Sequence, residues 1–171
     1  FALDLLMQPD GSCSGVICLH IASGDLHVFQ ARTTILATGG YGQVYPSTTA
    51  SNLCTGDGNA LCMRAGIPLQ DMEFVQFHPT GLLGSGILIT EGARGEGGYL
   101  RNATGERFLQ HYAPHSMELA SRDIIARAMV QEMRAGNGAT SPLGAHLWLD
   151  LTHLSSTVFA EKLPTITSLC E

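Results

Sequence analysis

The sequence is short of positive charge. Nine lysines and arginines stand against fifteen aspartates and glutamates, giving a formal net charge of −6 and a pI near 5.6. That balance disfavours binding to nucleic acid or to an anionic membrane surface. Long hydrophobic runs are missing too, since none reaches the ~18–20 residues that cross a bilayer. No signal peptide is visible and the chain opens on Phe1, so a fragment or processed product of a longer protein is expected. Cysteine is present but unorganised. Cys13, Cys18, Cys54, Cys62 and Cys170 are odd in number and form no C-x-x-C pair. Without zinc or disulfide spacing they read as small hydrophobes in a reducing compartment. His111 and His115 are spaced as metal ligands on a helix, but Pro114 interrupts them, so no metal site is expected. Also absent is a G-x-G-x-x-G turn after an N-terminal strand, the main pyrophosphate-binding element of dinucleotide folds.

What remains is globular. The chain is 44% hydrophobic and 14% charged over 171 residues, enough for one apolar core or for parts of two. Gly15–Ala22 and Leu26–Ala31 are β-rich runs around Ser23-Gly24-Asp25, the pattern of a hairpin. Thr33–Ala37 is a β-branched run that reads as a strand ending in Thr38-Gly39-Gly40, where a backbone can pass close to a ligand. Thr55 is placed to cap a helix through Ala65, with Asp57 in its first turn and Gly66 as its stop. A second helix is predicted from Ser121 to Gly136, with Ile124, Ile125, Ala128, Met129 and Met133 as its apolar stripe. Leu147–Leu151 reads as a short strand, and Val158–Leu163 as a short helix stopped by Pro164.

The chemistry concentrates between the two helices. Phe77-His78-Pro79-Thr80-Gly81 is followed by Thr90-Glu91-Gly92-Ala93-Arg94-Gly95-Glu96-Gly97-Gly98. Ionisable residues set among glycines suit a small anionic substrate; the plainer alternative is a glycine-rich surface loop with an ordinary Glu–Arg pair. Arg122 stands in the first turn of a helix, where the dipole prefers anions, which hints at a local use for its charge.

These segments resemble a known family. Glu73–Gly81, Thr90–Gly98 and Gly105-Glu106-Arg107-Phe108 resemble the dicarboxylate-site signature of the succinate dehydrogenase/fumarate reductase flavoproteins. Ala37-Thr38-Gly39-Gly40-Tyr41-Gly42, Thr55-Gly56-Asp57-Gly58 and Leu119-Ala120-Ser121-Arg122-Asp123 fall in the family's order, so that the resemblance runs from about Phe1 to Pro164. It implies an α/β, Rossmann-like FAD-binding portion over residues 1–71 and an α+β substrate-capping domain over 72–171, both incomplete. Ala37, Thr38, Gly39, Gly40 and Asp57 would lie against FAD. His78, Thr90 and Glu91 would bind a substrate carboxylate, and Arg122 would shuttle the proton with Glu91 and Arg94 as its relay.

The activity implied is FAD-dependent interconversion of succinate and fumarate. Electrons would pass to an iron–sulfur subunit and membrane-anchor subunits, on the matrix side of the mitochondrial inner membrane or the cytoplasmic face of a bacterial one. The family's flavin-linking histidine and a further histidine and arginine of its substrate clamp are expected outside this sequence, so the chain alone is expected to be inactive. Ala93 stands where many relatives carry cysteine. L-aspartate oxidase shares the signatures, but only eleven residues separate His78 from Thr90 here, which favours the succinate/fumarate group. Quinol:fumarate reductase stays close, and a non-catalytic module of a respiratory complex is the alternative of a different kind.

Overall fold

A computed structural model describes residues 1–170. The chain divides into two compact units, Phe1–Val75 and a second beginning at Gln76; the boundary expected after residue 71 lies a few residues earlier.

The first unit opens with three antiparallel strands in the order β1 (Ala2–Met7), β2 (Cys13–Leu19), β3 (Leu26–Gln30). The predicted hairpin is β2–β3, registered from Gly15↔Gln30 to Leu19↔Leu26. Its turn closes through His20 N–H to Asp25 O at 2.8 Å, with Gly24 at φ +80°. β1 escaped the sequence reading because nothing local marks its pairing. Gly15 is required where it stands, because a Cβ there would fall on the Phe29 carbonyl across the sheet.

Helix α1 (Asp57–Arg64) packs on β1, burying Leu5 and Leu61, and Arg64 donates to Leu3 O at 2.6 Å. Gly56, at φ +83°, caps it in place of the expected Thr55, whose hydroxyl instead donates to Asp57 Oδ2 at 2.7 Å. Gly66, at φ +76°, follows the last turn as expected.

The predicted strand at Thr33–Ala37 does not form. Residues 32–41 are irregular and Ile35 is 84% exposed, so no parallel α/β sheet exists among the described residues. The reason is pairing. A strand exists through its ladder partners, and after Ala31 donates to Ser14 O no described segment offers one.

The second unit is mixed. After helix α2 (Gly92–Gly95) come β4 (Tyr99–Arg101), α3 (Leu109–Tyr112), a 3-10 turn at Met117–Leu119 and α4 (Arg122–Arg134). The β5 (Ala139–Ser141)–β6 (Gly144–His146) hairpin precedes β7 (Trp148–Asp150), which pairs back onto β4. Helices α5 (Ser156–Lys162) and α6 (Pro164–Cys170) close the chain. Pro164 thus begins a helix as well as ending one, since the first helical position needs no N–H donor.

The main core joins Leu100, Phe108, Leu109, Ala113, Ala120, Ile125 and Ala128. Each large side chain there contributes about 1.5–3 kcal/mol relative to exposure. From the predicted α4 stripe, Ile125 and Ala128 are buried and Met129 packs beside them, whereas Ile124 faces outward. A smaller cluster of Ala93, Leu163 and Ile166 seats α2 against the C-terminal helices. Among the described residues no helix is long and apolar enough to cross a membrane.

Candidate functional site

The second unit gathers four of the predicted residues. α2 carries Arg94 inward, because Ala93 and Arg94 face the core side of this short helix. Arg94 is 2% exposed. Its Nη2 donates to Glu91 Oε1 at 2.8 Å and its Nη1 to the main-chain carbonyl of Glu118 at 2.6 Å, while Nε has no partner among the described residues. Arg122, the first residue of α4, reaches the same carboxylate from outside, with Nη2 to Glu91 Oε2 at 3.0 Å. Its Nη1 donates to Gln76 Oε1 at 3.2 Å. Glu91 is therefore held between two guanidiniums and keeps 48% of its side chain in solvent.

Electrostatics follow the geometry. Hydrogen bonds from Arg122, then from Arg94, hold the Glu91 carboxyl below the usual carboxylate range. Reciprocally, the Glu91 bond raises Arg122 above an ordinary arginine. At rest the site is thus an anion between two cations.

His78 is half-buried beside them. Burial pushes its ring below the ordinary value of 6.5; the Thr80 carbonyl opposes that, and the nearby Arg122 and Arg94 charges reinforce it. The imidazole is neutral near pH 7. Nδ1 lies 3.2 Å from Thr80 O and 3.3 Å from Thr80 N, so it donates to the carbonyl or accepts from the amide according to its tautomer, and Thr80 fixes the ring either way. Thr80 is itself buried and fixed by its hydroxyl bond to Ile89 O at 3.0 Å. Thr90 is exposed beside Glu91 and accepts from Gly92 N–H at 3.2 Å, which shapes the entry to α2.

Gln76, Thr80 and Glu118 join the site without a role predicted from the sequence. Glu118 is 4% exposed, and its carboxylate accepts from Arg107 Nη2 at 2.6 Å, Arg107 Nε at 3.1 Å and Leu100 N–H at 3.1 Å. Burial raises this carboxyl, but the Arg107 and backbone bonds outweigh burial and leave it below the usual range. A carboxylate isolated in the apolar run Met117-Glu118-Leu119-Ala120 was the available signal.

In the first unit, residues 37–40 are exposed, and among the described residues nothing pairs with their backbone groups. Gly58 lets Thr38 close on the start of α1, and Gly56 does the same for Tyr41. This brings Thr38, Gly39 (φ +74°) and Asp57 to one end of α1, whose first amides are free.

A family model described as an FAD binding domain matches residues 1–171. The mitochondrial succinate dehydrogenase [ubiquinone] flavoprotein subunit of Oryza sativa subsp. japonica is 58% identical over 97% of the chain and 26% of its own length. The succinate dehydrogenase flavoprotein subunit of Rickettsia conorii is 55% identical over 97% of the chain and 28% of its own length. Among solved structures, an E. coli quinol fumarate reductase mutant superposes with a TM-score of 0.94 at 43% identity, covering 99% of this chain and 31% of that one.

The chain belongs to the FAD-binding domain family, among the succinate dehydrogenase and fumarate reductase flavoproteins. It spans roughly a quarter to three tenths of the length of these relatives. FAD, expected from the resemblance, is the family's cofactor. The residues present suit it. Unpaired backbone groups at 37–40 and a glycine-lined approach to a helix N-terminus can receive an anionic, planar group without side-chain obstruction.

Proposed function

We propose that this chain supplies part of the flavin site and part of the dicarboxylate site of a succinate dehydrogenase flavoprotein. The residues beginning at Gln76 would be its substrate-capping domain. The observation that carries the reading is Glu91 clamped between buried Arg94 and solvent-side Arg122, beside neutral His78.

In this reading Ala37, Thr38, Gly39, Gly40 and Asp57 hold FAD, which when bound exchanges a hydride with the substrate carbon. His78 and Thr90 bind one substrate carboxylate. Arg122 handles the proton at the neighbouring carbon, giving it up towards fumarate and taking it from succinate. An arginine with a pKa raised by its partner is a poor acid alone. Glu91 resolves the difficulty. Once Arg122 releases a proton, Glu91 loses one of its two cations and its carboxyl rises towards the ordinary range. Being half in solvent, it takes a proton from water and returns it to Arg122, with Arg94 holding the carboxylate throughout.

Electrons would leave through an iron–sulfur subunit and membrane-anchor subunits, on the matrix side of a mitochondrial inner membrane or its bacterial equivalent. A fumarate reductase is the second reading, favoured by the 0.94 superposition. The 47% identity to the fumarate reductase flavoprotein subunit of Mycobacterium tuberculosis sits below the 58% to the rice protein.

A chimera tests the proposal: this sequence replaces the matching section of the Rickettsia conorii flavoprotein, assembled in its complex. Succinate oxidation with full flavin content is expected. Full flavin content without turnover would reject the site. A native polypeptide near 18.2 kDa, the mass of this chain, would favour a split, non-catalytic module.

A further inference from the structure

We propose that Glu118 is the positioning residue for the Arg94–Glu91–Arg122 array: its buried carboxylate locks the turn whose main-chain carbonyl carries Arg94. The inference rests on the relay reading above. The Arg94 guanidinium has two hydrogen-bonded partners among the described residues, the Glu118 carbonyl and the Glu91 carboxylate. The second is half in solvent, so the buried contact sets the pose of the guanidinium. No side-chain substitution at 118 removes that carbonyl; what the side chain controls is where the carbonyl points.

The turn needs such control. Met117 sits at φ +47°, a left-handed conformation that an unbranched L-residue adopts only when its surroundings hold it there. The Glu118 side chain provides the hold through three hydrogen bonds to two segments. Leu100 N–H ties it to β4, and both Arg107 contacts tie it to the segment before α3. Arg107 is in turn braced, its guanidinium lying 3.9 Å from the Tyr99 ring centroid. Tyr99 stacks on His153 at 4.2 Å, and His153 Nε2 lies 2.8 Å from Gly97 O. The chain leaves this turn through Leu119, Ala120 and Ser121 straight into Arg122. One buried anion therefore fixes the carbonyl that holds Arg94 and, through the backbone, the starting point of α4.

Stability alone does not account for the arrangement. A buried ion pair is often no more stable than apolar residues of similar volume, and its best-attested use is to hold one conformation. Here that conformation aims the carbonyl at Arg94.

The test uses the complete flavoprotein in its complex. Glu118→Gln keeps the shape and one acceptor but loses the two-point grip on Arg107, and Arg107→Gln loosens the same grip from the more exposed partner. Both are expected to lower kcat about tenfold with KM for succinate within about threefold. The double variant should be no worse than the poorer single. Arg107→Lys, which keeps the charge, should recover part of kcat. Normal kcat with a lowered Tm, or kcat and KM changing together, would overturn the positioning role. If Glu118→Gln fails to assemble, Arg107→Gln decides alone by the same criteria. Arg122→Lys runs as the control. If it retains turnover, the relay reading itself falls; if it is inactive while both Glu118→Gln and Arg107→Gln are normal, only the positioning role falls.

Discussion

Arg94 and Glu91, three residues apart, form an ion pair with one end in the protein interior and the other in solvent. The arginine side chain is 1% exposed, the glutamate side chain 48%, and the bond between them is 2.8 Å. A carboxylate in that position is fixed enough to keep its geometry and wet enough to exchange protons. Glu91→Gln in the complete flavoprotein keeps size and hydrogen bonding but cannot carry a proton. Turnover should fall strongly while affinity for a malonate-type inhibitor stays within about tenfold, or ~1.4 kcal/mol. If Glu91 only braced Arg94, Tm and inhibitor affinity would fall together with turnover. Steady-state kinetics, inhibitor titration and thermal melting on one preparation separate the two roles.

Arg122 should be the least replaceable residue of the site. A lysine keeps the charge but cannot reach Glu91 through Nε and Nη2 while also meeting Gln76. Arg122→Lys is expected to cost at least ~10³ in turnover, about 4 kcal/mol of barrier, with flavin retained. His78→Ser should weaken dicarboxylate binding and slow turnover less. Near-normal activity in Arg122→Lys would remove the proton-shuttle role.

The site was legible where its chemistry is local. Phe77–Gly81 and Thr90–Gly98 stand out because glycines and ionisable residues are adjacent in sequence, and the hairpin and helices follow from turn residues and apolar spacing. The β4–β7 ladder pairs Leu100 with Leu149, a contact that no local pattern announces. No local pattern marks Arg94 as buried, and only the Ala93–Leu163–Ile166 cluster shows why α2 turns it inward. The strand predicted at Thr33–Ala37 failed for the converse reason. Its β propensity is real, but propensity cannot act without a partner strand.

His78 should make stability depend on pH in a defined direction. Burial, then the nearby arginines, depress its pKa below the ordinary 6.5, with the Thr80 carbonyl partly offsetting them. As pH falls through about 6.5 the unfolded chain takes up a proton before the folded one, so stability is lost on acidification and the loss levels off below the folded pKa. His78→Gln removes the titration. The Tm of the unsubstituted flavoprotein should therefore fall relative to that of the variant between about pH 7.5 and 5. A constant difference across that range would show that His78 titrates as it does in the unfolded chain.

The approach of α1 to residues 37–40 gives the last prediction. A methyl at Gly58 would fall on Thr38 Oγ1 and lie 3.0 Å from Thr38 Cβ and 3.2 Å from Thr38 Cγ2. Rotating the threonine relieves the first contact, but the Cβ contact remains and the backbone at Thr38 must move. Helix propensity pulls the other way, favouring alanine over glycine by about 1 kcal/mol. Gly58→Ala should therefore change the Tm of the complete flavoprotein little, because the two effects oppose. Its flavin content should drop, because the displaced backbone is the segment proposed to lie against FAD. Thr38→Gly in the same chain removes the three Thr38 atoms nearest to the methyl and should restore part of the flavin. Flavin absorbance per polypeptide, read on purified complex, decides the matter. Undiminished flavin in Gly58→Ala with an unchanged Tm would show that the turn at Thr38 tolerates displacement, and would take residues 37–40 out of the cofactor site.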